Sequence, residues 1–267
     1  YDDWSGLGGD DIAFVAGADH CCIPFEERWC GDPAGSIDPG WSTFNHDAAR
    51  SGASLVPLSD AWCDLTLTWD YQHPSQQSLF THPVMFDGKL IQSFNNEYRV
   101  YYFDGTLAYT ISGFPLGDNM RTTPTVVAMD IASTPTNVVF IGGGTQQSVA
   151  AYNFDDGSLI WSRDIGTVGP TGLFGNLIYS AMIYVDGVLY WPTDAGSIVA
   201  ADAETGDLYT GWTTNPVELS GDVGQWGVTD GNNLYFGTYT ASNTDGDLFA
   251  ISCATGDIVS QLSSAGG

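Results

Sequence analysis

Two stretches of the chain gather side chains that could do chemistry. Near the start, His20-Cys21-Cys22-Ile23-Pro24-Phe25-Glu26-Glu27-Arg28-Trp29-Cys30 brings one imidazole and three thiols close together in sequence. Zinc takes such ligands, but structural zinc sites are usually built on paired Cys-x-x-Cys knuckles, and none is present. The absence of Cys-x-x-Cys-His also leaves covalent haem attachment without a motif. The simpler expectation is disulfide bonding in an oxidising compartment, with Cys21, Cys22, Cys30, Cys63 and Cys253 all candidates and their pairing open. Five is an odd number, so one thiol is left free or available to another chain. Near the other end, Asn243-Thr244-Asp245-Gly246-Asp247 spaces oxygen side chains at i, i+2 and i+4 around a glycine, as calcium loops do. Asn243, Asp245 and Asp247 are therefore candidate metal ligands. Ala254 stands where an EF-hand carries its glutamate, and Asp245-Gly246 also suits a plain hairpin.

Other constellations fall short. His20, His46, His73 and His82 form no His-Glu-x-x-His helix, and no Gly-x-Ser-x-Gly elbow occurs. His73 and His82 precede Pro74 and Pro83, which marks them as loop punctuation. Gly142-Gly143-Gly144 follows an apolar run, but neither a helix start nor a lysine comes after it, as a phosphate loop requires. Carboxylate pairs such as Asp10-Asp11 and Asp155-Asp156 carry no weight in a chain this acidic.

The 267 residues hold 32 acidic and only 6 basic side chains, a net charge of −26. Nucleic-acid binding needs clustered Lys and Arg to displace counterions, and here there are none to cluster. An anionic membrane surface is excluded on the same ground. Hydrophobic residues make up 43% and charged residues 14%, so the chain can build a core, and its acidity reflects missing bases. A surface kept soluble by one sign of charge fits an exported protein. No apolar run approaches the roughly 18 residues that would cross a bilayer. The sequence opens at Tyr1 without a basic, hydrophobic leader, so the expectation is that an export signal has been removed.

What must position any site is a repeat. Four segments share one order: apolar strand, tight turn, apolar strand, then Asp-Gly or Thr-Gly, then a short strand. They close on Gly105, Gly157, Gly206 and Gly256, at spacings of 52, 49 and 50 residues. Asp-Gly recurs at Gly88, Gly105, Gly157, Gly187, Gly231 and Gly246 and is a favoured two-residue hairpin pair. The strands are apolar on successive residues, which predicts burial on both faces. No sustained 3.6-residue stripe with caps appears, so helices are few. A period near 50 with several strands per unit predicts an all-β propeller of four-stranded blades. The expected organisation is an irregular cysteine-containing arm over 1–40 and propeller blades over 41–267. Within the latter lie a lead-in at 41–69 and repeats at about 70–115, 116–165, 166–215 and 216–262.

Asp186 to Leu208 and Asp230 to Ile258 are the best matches in the chain to the motif Asp-Gly-x-Leu-Tyr-x-Gly, then Gly-x-Leu-x-Ala-x-x-x-x-Thr-Gly-x-x-x-Trp. This resembles the PQQ-like (quinoprotein dehydrogenase-like) propeller repeat. Trp41 to Ser54 resembles that family's lead-in, and Leu65-Thr66-Leu67-Thr68-Trp69 resembles the outer strand that closes its ring. The resemblance implies seven or eight blades where four repeats are visible. A longer chain, a closed four-bladed ring and a ring completed by two copies are the three resolutions.

The resemblance also raises a quinoprotein oxidoreductase, with pyrroloquinoline quinone over calcium and Cys21-Cys22 as the vicinal disulfide some members carry. That pair lies before the lead-in and outside every repeat, and the family's calcium ligands and catalytic aspartate find no matching positions. Trp161, Trp191 and Trp212 fall near strand ends, where aromatic rings dock one blade on the next. The expectation is therefore an extracytoplasmic propeller (secreted, cell-surface or periplasmic) without catalysis, acting in protein interaction or assembly, with no quinone and calcium as its only candidate cofactor. Its expected partners are protein subunits, by self-association or an intermolecular disulfide. Oxidoreductase and glycan-binding propellers are the alternative readings.

Overall fold

The computed structural model describes residues 81–94, 97–112, 122–143, 148–164, 181–193, 196–239 and 246–263. These form sixteen strands in four antiparallel sheets, with no helix among the described residues. The first sheet is β1 (Val84–Phe86), β2 (Lys89–Phe94), β3 (Glu97–Tyr102) and β4 (Leu107–Ser112). The second is β5 (Thr125–Ile131), β6 (Thr134–Gly143), β7 (Ser148–Asn153) and β8 (Leu159–Asp164). The third is β9 (Ile183–Val185), β10 (Val188–Pro192), β11 (Ser197–Asp202) and β12 (Val217–Glu218). The fourth is β13 (Asp222–Thr229), β14 (Asn233–Tyr239), β15 (Asp247–Ser252) and β16 (Ile258–Ser263). Within each sheet every strand pairs with the next in sequence.

Successive apolar residues serve two different cores. Along β6, Val139 and Ile141 pack with the first sheet, while Val138 and Phe140 pack with the third. Along β10, Leu189 and Trp191 face the second sheet, and Val188 and Tyr190 face the fourth. Side chains alternate across a strand, so an unbroken apolar run is what a sheet sandwiched on both faces requires.

The turns follow their residues. Asp87-Gly88 and Asp186-Gly187 are two-residue connections with φ of 44° and 74°, and of 47° and 85°. Ala132-Ser133 takes the same turn without glycine, at φ 48° and 64°. There the Ala132 N–H donates to Glu204 Oε1 of the next sheet at 2.7 Å, which helps hold an otherwise costly geometry.

A second contact locks each sheet to its successor. Trp161 Nε1 donates to the Ala203 carbonyl at 3.0 Å, and Trp212 Nε1 donates to the Cys253 carbonyl at 2.8 Å. Tyr109 OH donates to the Phe154 carbonyl at the equivalent place. Each ring lies flat on the glycine three residues further on. A Cβ at Gly206 would come within 2.5 Å of the Trp161 ring, and one at Gly256 within 2.7 Å of the Trp212 ring. At Gly157 the distance to the Tyr109 ring would be 2.6 Å. Gly206 has φ +74°, so both the backbone and the ring demand glycine there.

Trp191, the second-last residue of β10, packs in the core between the second and third sheets, and its indole N–H has no hydrogen-bond partner. One local expectation needs correction. The outer strand of the third sheet does not run on from Leu208, which makes a single bridge to Ala201. The chain leaves the sheet, passes Trp212 and a cis Asn215-Pro216 bond, and returns as β12 against Ser197 and Ile198. In the gap the Asn215 amide substitutes for a strand, accepting from Ala200 N–H at 3.2 Å and donating to the Ala200 carbonyl at 2.7 Å.

The ring-on-glycine contact predicts a ranking. Gly206→Ala should cost roughly 3 kcal/mol or more, adding overpacking against Trp161 to left-handed strain. Gly187→Ala, with φ +85° and open space around the new Cβ, should cost only the strain, roughly 1–2 kcal/mol. Trp161→Phe should cost roughly 1–3 kcal/mol by leaving the Ala203 carbonyl unpaired. Denaturant midpoints check all three, and equal losses for the two alanines would remove the contact from its role.

Candidate functional site

Of the sequence-derived ligand set, Asp247 is described; Asn243 and Asp245 lie outside the described residues. The Asp247 carboxylate accepts from Gln261 Nε2 at 2.8 Å and Ser220 Oγ at 3.0 Å. Hydroxyl and amide donation from Ser263, Gln261 and Ser220 lowers its pKa below the ordinary aspartate value. Among the described residues, no three His, Cys, Asp or Glu side chains converge as metal ligands do.

Cys21, Cys22, Cys30 and Cys63 lie outside the described residues, as do the arm and the lead-in. Cys253, counted among the disulfide candidates, is a buried free cysteine. It takes the repeat position held by Phe154 and Ala203, whose carbonyls receive the docking ring. Its own carbonyl also accepts from Tyr190 OH at 2.9 Å. Burial pushes the thiol pKa up, which makes it a poor nucleophile.

All three described cations are paired with carboxylates. Lys89 Nζ meets Asp155 Oδ1 at 3.1 Å across the first and second sheets and lies 5.3 Å from the centre of the Phe154 ring. Arg163 meets Asp207 at 2.9 Å across the second and third, and Arg99 pairs with Glu97 within β3. Beside Asp155 lies a recess of about 410 Å3, lined by the β5–β6 hairpin through Met129, Asp130, Pro135 and Thr136.

The surface that sequence reasoning missed is one face of the fourth sheet. Leu234, Phe236, Phe249 and Ile251 point into the core shared with the third sheet. Their alternates point the other way, and register ties them into a patch. Leu248 lies opposite Leu262, and Ala250 opposite both Tyr235 and Ser260. Val228 lies opposite Tyr235 and extends the same face. In the preceding sheets the matching positions, such as Tyr190, Ile198 and Ala200, are no more than 2% exposed. Here Val228 is 43%, Leu248 47% and Leu262 71% exposed. By register, Ser260 stands where Tyr109 and Trp161 carry their docking rings. The signal was present in the sequence, where Gly256 is followed by no aromatic residue before Ser263.

No family model matches the sequence, and no curated protein matches it. Solved structures do. BamB from Moraxella catarrhalis is similar with a TM-score of 0.50 at 19% identity, over 73% of this chain and 51% of that one. The computationally designed Ika8 protein gives 0.51 at 13%, over 72% and 50%. A quinohemoprotein alcohol dehydrogenase from Pseudomonas putida HK5 gives 0.50 at 16%, over 73% and 37%. The chain thus spans about half of the first two, and 37% of the third. BamB and the dehydrogenase are PQQ-like β-propellers, and the four sheets have that fold. At these identities the likeness is one of fold alone.

One titration on this surface is testable. Asp230 caps the β13–β14 turn, accepting from the Asn233 N–H at 2.7 Å, Tyr235 OH at 2.8 Å and the Asn232 N–H at 2.9 Å. These donors, Asn233 first, lower its pKa to about 2. An unfolded aspartate titrates near 3.9, so the stabilisation is complete above that value and is lost as pH falls towards about 2. The thermal midpoint should drop across that window, and Asp230→Ala should flatten the drop.

Proposed function

We propose that this chain is a non-catalytic, extracytoplasmic β-propeller that serves as a protein-interaction or assembly module. The observation that carries the reading is the open apolar face of the fourth sheet, built from positions that the other sheets use to bind a neighbour. Exposed apolar patches of this kind mark interaction sites. A likeness to BamB is in keeping with the reading, though it extends only to fold. The acidic surface fits export into a medium where solubility rests on charge. The likeness to a quinohemoprotein dehydrogenase adds no second reading, because it too is one of fold.

The test is site-specific photo-crosslinking in the native host. A crosslinking residue at Leu248 should yield discrete adducts with protein, while one at Thr205, in an exposed turn on another sheet, should not. No adduct at Leu248, or equal adducts at both positions, would count against the interaction role.

A further inference from the structure

We propose that the recess beside Asp155 binds an organic cation, an ammonium or guanidinium group carried on a short aliphatic stem. The site belongs to the second sheet and goes beyond the interaction reading, which the fourth sheet carries.

The recess exists because one hairpin is longer than its counterparts. The Asn137 carbonyl accepts from the Phe154 N–H at 2.7 Å, as those of Gly187 and Asn232 accept from Ala203 and Cys253 at 2.9 and 2.8 Å. Gly187 and Asn232 stand in the turns that end their hairpins, whereas the second sheet runs on. Four residue pairs, from Ala128 opposite Asn137 to Ile131 opposite Thr134, make up the extension. At about 3.3 Å per residue it projects about 13 Å.

The two faces of the extension meet different surroundings. Met129 and Ile131 pack on the core shared with the third sheet, and Glu204 holds the turn through the Ala132 N–H. Ala128, Asp130, Pro135 and Asn137 continue the face on which Val126 and Val139 meet the first sheet. The first sheet has already turned at Asp87-Gly88, and Ala128, Asp130 and Pro135 are exposed. Packing on one side therefore fixes a wall whose other side is open, with the turn bearing Asp155 beside it. At about 410 Å3 the space lies within the range of small-ligand sites.

The chemistry of the lining selects the occupant. Its two side-chain donors are already engaged. Thr136 Oγ1 donates to the Thr134 carbonyl at 2.9 Å, and Asn137 Nδ2 lies 3.5 Å from both Asp155 oxygens. Carboxylates remain. Asp155 already takes one ammonium, that of Lys89, at 3.1 Å, and no cation meets Asp130 among the described residues. Ala128, Met129 and Pro135 add apolar atoms along which an alkyl stem can lie, as the stems of lysine and arginine do elsewhere. An anion would meet two carboxylates and no free side-chain donor. Exposed ion pairs contribute little apiece, so the dissociation constant should be roughly millimolar and should rise with salt.

Titration of the full chain with agmatine, followed by the amide shifts of its NMR spectrum, tests this. Saturable shifts should centre on Ala128, Asp130, Asn137 and Asp155, and neutral pentanediol should cause none. Asp130→Asn should weaken binding about fivefold, the worth of one exposed charge pair. Asp257→Asn, which removes an exposed carboxylate from the fourth sheet, should leave it unchanged. Ala128→Arg should abolish it by placing a tethered guanidinium in the recess. All three positions are exposed, so thermal midpoints should stay near the parent's. A capped Gly-Arg-Gly peptide separates the sources: binding as tight as agmatine's assigns a basic side chain of a protein, and weaker binding assigns a free cation. No saturable shift, shifts spread over all the acidic turns, or equal weakening by Asp130→Asn and Asp257→Asn would overturn the proposal. Crosslinking at Leu248 reports on another sheet, so this site and the interaction role can each fail alone.

Discussion

The structure depends on a single repeated contact, in which an aromatic ring at the outer edge of one sheet lies on a glycine of the next and hydrogen-bonds a carbonyl beside it. Trp161 over Gly206 and Trp212 over Gly256 do this with an indole; Tyr109 over Gly157 does it with a phenol. The contact fixes distance and rotation together, because a ring can lie flat on a backbone only where no Cβ intervenes. Most of what else joins the sheets is packing of alternate residues, which is strong in sum but weakly directional. The same residues that receive the ring close their own sheet: the N–H groups of Phe154, Ala203 and Cys253 donate to the carbonyls of Asn137, Gly187 and Asn232.

Much of this was legible in the residues. The spacing of Gly105, Gly157, Gly206 and Gly256 gave the period, and Trp161 and Trp212 stand a few residues after two of those glycines. What a single sequence conceals is which ring touches which glycine, since the partner lies in the next repeat some 45 residues away. Tyr109 went unnoticed because a phenol does not look like an indole. Trp191 packs one sheet on the next as its place near a strand end suggested, but by its parity within β10 and without a carbonyl partner. The departure of the chain at Leu208 has no simple sequence mark, because Asn215 restores the broken pairing with a side-chain amide. The open face of the fourth sheet was the hardest to read. It differs from its siblings by Ser260 in place of a ring and by leucines that look equally at home in a core.

Charge is used sparingly and at the joints. Lys89 and Arg163 each bridge two sheets, and Glu204 grips the Ala132-Ser133 turn from the sheet beyond. Exposed pairs of this kind add little stability apiece. Their value lies in choosing among the rotations that apolar packing would tolerate equally. Other carboxylates accept from turn amides and hydroxyls, as Asp202, Asp230 and Asp247 do.

Cys253 carries a consequence of its own. The residue lies in the core shared by the third and fourth sheets, its sulfur 3.8 Å from Thr229 Oγ1 and its carbonyl held by both Trp212 and Tyr190, and it is only 6% exposed. An aqueous reagent reaches it when the third and fourth sheets part. The rate at which the peptide bearing this sulfur becomes labelled therefore clocks the breathing of one joint, separately from unfolding of the whole.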